Sequence, residues 1–385
     1  MNEDYYNSEI YSLNREIHRL NKQLEEEKKR YIPDKLDPFD NPTEYTEFSG
    51  DYSDIMPEIE NPECEIPLEP DNLEYRKIKR FYSIGGWAVL GQFLISNFLG
   101  MAIVCIIKLI LLSINSGASS DIISDYINSS SILAGINMIS FMIANVGFAF
   151  LGLKIAKIPK SQLVRTRDFG FGMALQYCMT AFFLWIISYF VSSGINDIFS
   201  HYGYTTYVVD MDDIAVTGTG KVLMTFYTCI IAPLTEEIFF RGMLLRVLSR
   251  TNQRFAVFAT AFFFGLSHHN IPQFVLAFLV GTFLAHITLK HNSVIPAIIV
   301  HIFLNTMSTA FSYIGENTGY IFTSVIMLIM AILGFFMFAL FRERDKIPST
   351  TPEQAMRGIY VAKRSVMFDI SIIVQVIYTL ALIFM

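Results

Sequence analysis

From residue 80 to the C-terminus the chain is a succession of long apolar runs. They lie at about 84–110, 131–153, 170–194, 221–243, 254–270, 272–289, 293–313 and 319–341, with a ninth at 366–385. A helix needs about 20 residues to cross roughly 30 Å of hydrocarbon. In lipid every backbone polar group must be paired within the segment or a closed barrel. Runs of this length predict an all-α, polytopic transmembrane bundle of about eight spans, with 366–385 as a ninth candidate. The run 254–270 is short, and Asp369 stands near the start of the last one. Only 17% of residues are charged, against about a quarter in soluble domains. A soluble one-core enzyme and a wholly disordered chain are excluded.

Basic residues set the orientation, because cytoplasmic loops collect Lys and Arg. Arg76, Lys77, Lys79 and Arg80 precede the first span, and Lys154, Lys157, Lys160, Arg165 and Arg167 follow the second. Arg246, Arg250 and Arg254 follow the fourth, Lys290 the sixth, and Arg342, Arg344, Lys346, Lys363 and Arg364 the eighth. The intervening loops 114–130, 196–220 and 314–318 contain no Lys or Arg. The alternation predicts a multi-pass protein of the cell membrane with a cytoplasmic N-terminus. Lys108, near the outer end of the first span, is expected to snorkel to the interface.

The N-terminal extension is polar. Tyr6, Ile10, Leu13, Ile17, Leu20 and Leu24 follow a heptad seam, so residues 1–32 are expected to carry a short helix, over 6–31, able to self-associate or bind a partner. Residues 34–74 hold fourteen Asp or Glu and one Lys, and 33–74 hold seven of thirteen prolines. Acid and proline together oppose packing, so 33–80 is expected to be a disordered acidic linker. The remainder divides into 81–219, N-terminal membrane helices, 220–313, where the chemistry concentrates, and 314–385, C-terminal membrane helices. The acidic start lacks the apolar stretch of a cleavable signal peptide. The four Cys show no CxxC and no disulfide framework. Nothing in the charge pattern points to nucleic acid.

A charge at the centre of a membrane helix costs at least about 2.5–3.5 kcal/mol, so each one is a functional candidate. They cluster between residues 236 and 305: Glu236, Glu237 and Arg241, then His268 and His269, then His286, then His301 with Asn305. Glu237 and Arg241 are four apart and can pair on one helix face. Glu236 points about 100° away and is the carboxylate left free. His301 and Asn305 share a face, as do Phe264 and His268. A carboxylate, an imidazole, and an imidazole with an amide can activate water and stabilise an oxyanion. Glu236, His268 and His301 are equally a zinc set. His286 and His269 read as well as helix–helix hydrogen bonds. Pro233 is expected to break the helix one turn before Glu236 and to free backbone groups, which membranes tolerate only beside protein or a cavity. Helical rise places His268 about 21 Å, His301 about 12 Å and Glu236 about 8–10 Å from the inner face, favouring a site reached from the cytoplasmic half.

Glu-Glu-x-x-x-Arg (Glu236, Glu237, Arg241), Phe-x-x-x-His (Phe264, His268) and His-x-x-x-Asn (His301, Asn305) occur in that order, each in a span. Together they resemble the CPBP family of CAAX-processing and bacteriocin-processing intramembrane endopeptidases, also called Abi, over about 220–313. The resemblance implies that Glu236 and His268 activate water, that His301 and Asn305 stabilise the oxyanion, and that Glu237 and Arg241 hold the site in shape. It implies hydrolysis of a peptide bond in a peptide or membrane-associated protein, with the CAAX prenyl tail the best-known case and an unprenylated bacterial peptide the other. Two mechanisms share these side chains, one needing no cofactor and one using Zn2+. The rival readings are a membrane scaffold or bacteriocin-immunity protein that keeps the motifs without catalysis, and a transporter. The latter is opposed by the lack of an inverted-repeat pattern.

Overall fold

Seven helices in the computed structural model are long and apolar enough to cross a membrane, and the chain is an integral membrane protein. The structure describes residues 15–23, 72–115, 119–129, 131–164, 169–204, 218–250, 252–318, 320–344 and 359–384. No strand occurs among them. Residues 15–23 are helical and exposed, with Ile17 and Leu20 facing outward and Arg19 paired to Glu16 at 3.5 Å. The other seam residues and most of the acidic linker lie outside the described residues.

The first long helix, α1, runs Asn72–Ile114. It begins within the predicted linker and, at about 65 Å, exceeds a bilayer core. The loop expected at 114–130 contains a helix, α2 (Ser120–Ser129), which buries Ile123 and Ile127. Its Ser124 accepts a 2.7 Å hydrogen bond from Lys108 Nζ, so this lysine is held by a neighbouring helix. Then come α3 (Ser131–Ile155) and α4 (Phe171–His201).

Helix α5 spans Gly218–Leu248 without interruption. Pro233 does not break it. Instead the segments Tyr227–Ile231 and Ile238–Leu244 take π-helical form on either side of Ala232–Glu237. A proline lacks the N–H that the ladder needs. The π-turn absorbs the misfit while the axis continues.

Helix α6 is Gln253–Leu266, opened by Asn252, whose side chain accepts from Phe255 N at 3.1 Å. Fourteen residues rise about 21 Å, short of the bilayer core. The fifth expected span is therefore a shorter arm that turns back at His268–Asn270. Helix α7 (Ile271–His291) starts from Asn270, whose Oδ1 accepts from Gln273 N at 2.8 Å, with Pro272 in its first turn. It ends on Asn292 in left-handed conformation (φ 47°), and Arg246 at the end of α5 donates to Asn292 Oδ1 at 2.9 Å and O at 2.8 Å. Helix α8 is Ile295–Thr318 and α9 is Tyr320–Arg344, so the loop expected at 314–318 lies within a helix. The last helix, α10, is Val366–Phe384, with an apolar stretch (Val366–Leu382) shorter than the seven spans.

Two apolar cores hold the bundle. One is built on α5, where Phe239, Phe240, Met243, Leu244 and Leu248 are sealed by α1, α3, α6 and α10. The other lies between α4, α7 and α8, around Tyr177, Phe182, Leu284, Ile287 and Val300. Helix α5 touches both α6 and α8, and α6 and α7 form an antiparallel hairpin against it. This brings the middle of α5, the α6–α7 turn and the middle of α8 to one place.

Candidate active site

Glu237 is the fixed point of the cluster. Its carboxylate is fully buried and takes a 2.8 Å bond from Arg241 Nη1, itself fully buried. The i,i+4 pair is the one that helix spacing predicts. Its Oε1 also meets His301 Nδ1 at 2.8 Å. A carboxylate neutralised by Arg241 only accepts, so His301 Nδ1 carries the hydrogen. The other ring nitrogen, Nε2, lies 3.8 Å from Glu236 Oε2. One imidazole thus stands between two adjacent glutamates. Their side chains differ sharply in exposure, 25% for Glu236 and 0% for Glu237.

Arg241 has further company. Its Nη2 donates to Gly281 O at 3.4 Å, and its guanidinium lies 4.2 Å from the centre of the Phe264 ring. A desolvated cation over an aromatic face is stabilised by about 2 kcal/mol. A Cβ on Gly281 would fall 3.0 Å from Arg241 Nη2 and 3.1 Å from Phe264. Only glycine lets α7 come this close.

Phe264 joins the parts. It meets the His268 ring edge-to-face at 5.1 Å and the His301 ring at 5.6 Å, while its carbonyl accepts from His268 Nδ1 at 2.8 Å. The last contact assigns the hydrogen of His268 to Nδ1 and leaves Nε2 with a lone pair. His268 stands in the turn just past α6.

The side-chain amide of Asn305 is anchored by α5. Its Nδ2 donates to Thr228 O at 2.8 Å. In the π register the hydrogen for Thr228 O would come from residue 233, a proline with none. The freed carbonyl anticipated from Pro233 is therefore this one, and Asn305 fills it. One of its two amide hydrogens is committed there.

Three contributions had little sequence signal. Phe264 and Gly281 both sit among apolar residues, which by themselves mark no contact with Arg241. Thr235, next to Glu236, ends a buried chain in which Gln92 of α1 donates to Asn145 of α3 at 3.0 Å and Asn145 donates to Thr235 at 3.4 Å. Amides inside apolar spans are a sign of such interhelical bonds. His286 meets the ring of Phe341 at 5.2 Å and lies outside the cluster.

Both imidazoles commit Nδ1 and present Nε2, as metal ligands do. Among the described residues, however, no three His, Cys, Asp or Glu side chains are disposed to hold one ion.

Residues 218–307 match a family model described as Type II CAAX prenyl endopeptidase Rce1-like. The match includes all seven motif residues and starts and ends within six residues of the 220–313 segment over which the resemblance is read. No curated protein and no solved structure matches the chain.

Proposed function

With residues 218–307 an Rce1-like domain of the CPBP type in an integral membrane protein, we propose that this chain is an intramembrane endopeptidase. It hydrolyses a peptide bond of a membrane-associated peptide or protein tail. The observation that supports this reading best is the unequal pair of glutamates around His301. Glu237 is neutralised by Arg241 and buried, so it holds the ring. Glu236 is partly exposed and, among the described residues, pairs with no Lys or Arg, so it is the base.

In this mechanism water binds against Glu236, helped by the Nε2 lone pair of His268. Glu236 takes one proton as the water oxygen bonds to the scissile carbonyl carbon. The carbonyl oxygen becomes an oxyanion, which the second amide hydrogen of Asn305 stabilises. A preorganised donor of this kind contributes about 10²–10³-fold. The proton on Glu236 passes to the amide nitrogen, the C–N bond breaks, and a carboxylic acid and an amine leave. Water is activated by a carboxylate, not by a metal. The substrate enters from the cytoplasmic half, and the N-terminal extension stays in the cytoplasm.

The test is to reconstitute the full chain and its Glu236→Gln variant and to follow cleavage of a quenched fluorescent peptide with a farnesylated CAAX tail. Loss of a general base lowers the rate about 10²–10⁴-fold. A Glu236→Gln protein as active as wild type, or a wild type that cleaves neither this peptide nor its unprenylated form, favours the scaffold reading instead.

A further inference from the structure

His268 and His269 are neighbours that part company. His268 turns toward Phe264 and the glutamates. His269, in left-handed conformation at φ 55°, sends its ring between α1 and α10. There it meets Phe93 edge-on at 5.4 Å and Tyr378 at 4.8 Å. The turn between the two directions is fixed by Asn270, whose Nδ2 donates to His268 O at 2.9 Å while its Oδ1 caps α7.

Around Tyr378 three buried polar atoms have no partner: His269 Nδ1, Gln375 Oε1 and Thr379 Oγ1. Gln375 is 1% exposed and Thr379 8%. These two are four apart, on one buried face of α10. Lower on that face the polar groups are satisfied. Ser365 shares a 3.1 Å bond with Ser83, and Ser371 donates to Phe368 O at 2.7 Å. The helices also touch closely at that end, since a Cβ on Gly86 would lie 2.5 Å from Met367 O. The deficit is confined to the end beside His269. A buried polar group without a partner is destabilising.

We propose that His269, Gln375 and Thr379 form a subsite for one backbone amide of the peptide substrate; this rests on the hydrolytic reading above. A peptide group offers one N–H and one C=O on opposite sides. Gln375 Oε1 accepts the N–H, and Thr379 or His269 donates to the C=O. Phe93 and Tyr378 supply an apolar wall for the flanking side chain. Because His268 and His269 are adjacent, the subsite lies about two or three extended residues from the bond opposite Glu236. Helix α10 lies beyond 218–307, so this part of the recognition comes from outside the matched domain.

The experiment reads binding without turnover. In a Glu236→Gln background, the anisotropy of the labelled farnesylated peptide is titrated with the chain bearing Gln375 and Thr379, and with the Gln375→Leu, Thr379→Val chain. The subsite predicts about tenfold weaker binding in the substituted chain, with an unfolding temperature unchanged or raised, because two unpartnered polar atoms have been removed. A peptide N-methylated two or three residues from the cleaved bond should bind the unsubstituted chain weakly and show no further loss in the substituted one. Equal affinities overturn the proposal. So does a fall in unfolding temperature at unchanged affinity, which assigns the residues to bracing, and so does no binding to either chain. Failure of the wild type to cleave the peptide is a separate result, and it refutes the hydrolytic reading instead.

Discussion

Replacing Glu237 by Gln keeps the shape of the side chain and removes its charge. Arg241 then remains as a cation with 0% side-chain exposure. What is left to it is Gly281 O at 3.4 Å and the face of Phe264 at 4.2 Å. Removing one partner of a buried ion pair costs about 3–5 kcal/mol. The 2.8 Å bond from His301 Nδ1 also weakens, since a neutral amide oxygen is a poorer acceptor than a carboxylate. Against a total stability of about 5–15 kcal/mol, the folded-to-unfolded ratio should fall roughly 10²–10⁴-fold. Glu236→Gln alters a carboxylate that is 25% exposed and, among the described residues, pairs with no Lys or Arg. Its stability should stay within about 0.5 kcal/mol of wild type, the usual range for substitutions away from such features. The assay is thermal unfolding and monodisperse yield of both variants in one detergent, beside peptide cleavage. Both should be inactive, but only Glu237→Gln should lose folded protein. If Glu236→Gln is the unstable variant, or if Glu237→Gln folds normally and Glu236→Gln cleaves, the two roles are reversed and the reasoning fails.

Gly281→Ala puts a methyl carbon 3.0 Å from Arg241 Nη2, so it should destabilise by about 1–3 kcal/mol and lower the rate with it; a wild-type unfolding temperature would show that α7 yields freely. Asn305→Leu leaves Thr228 O without its donor, and should cost about 1–3 kcal/mol together with about 10²–10³ in kcat, both read from unfolding and initial rates on one preparation. For a carboxylate base, metal measured by mass spectrometry should be far below one ion per chain and strong chelators should not inhibit; stoichiometric zinc lost on His301→Ala would overturn the metal-free mechanism.

The apolar runs alone determine that this chain is a helical membrane protein, because a bilayer leaves backbone amides no partner outside the segment. The i,i+4 bond from Arg241 to Glu237 was equally legible, since helical spacing carries one side chain to the other with no help from the rest of the fold. Three motifs in order also sufficed to place the cluster between residues 236 and 305. What only packing decided is which nitrogen faces which group. That His301 Nδ1 rests on Glu237, 64 residues away, follows from α8 crossing α5. That Asn305 serves Thr228 O follows from a π-turn created by Pro233, which local propensity reads as a break. Phe264 contacts Arg241, His268 and His301 at once because Gly281 lets α7 close on α6. Periodicity registers a direction around one helix axis. It carries no information on the angle or depth at which two axes meet, and those determine the site.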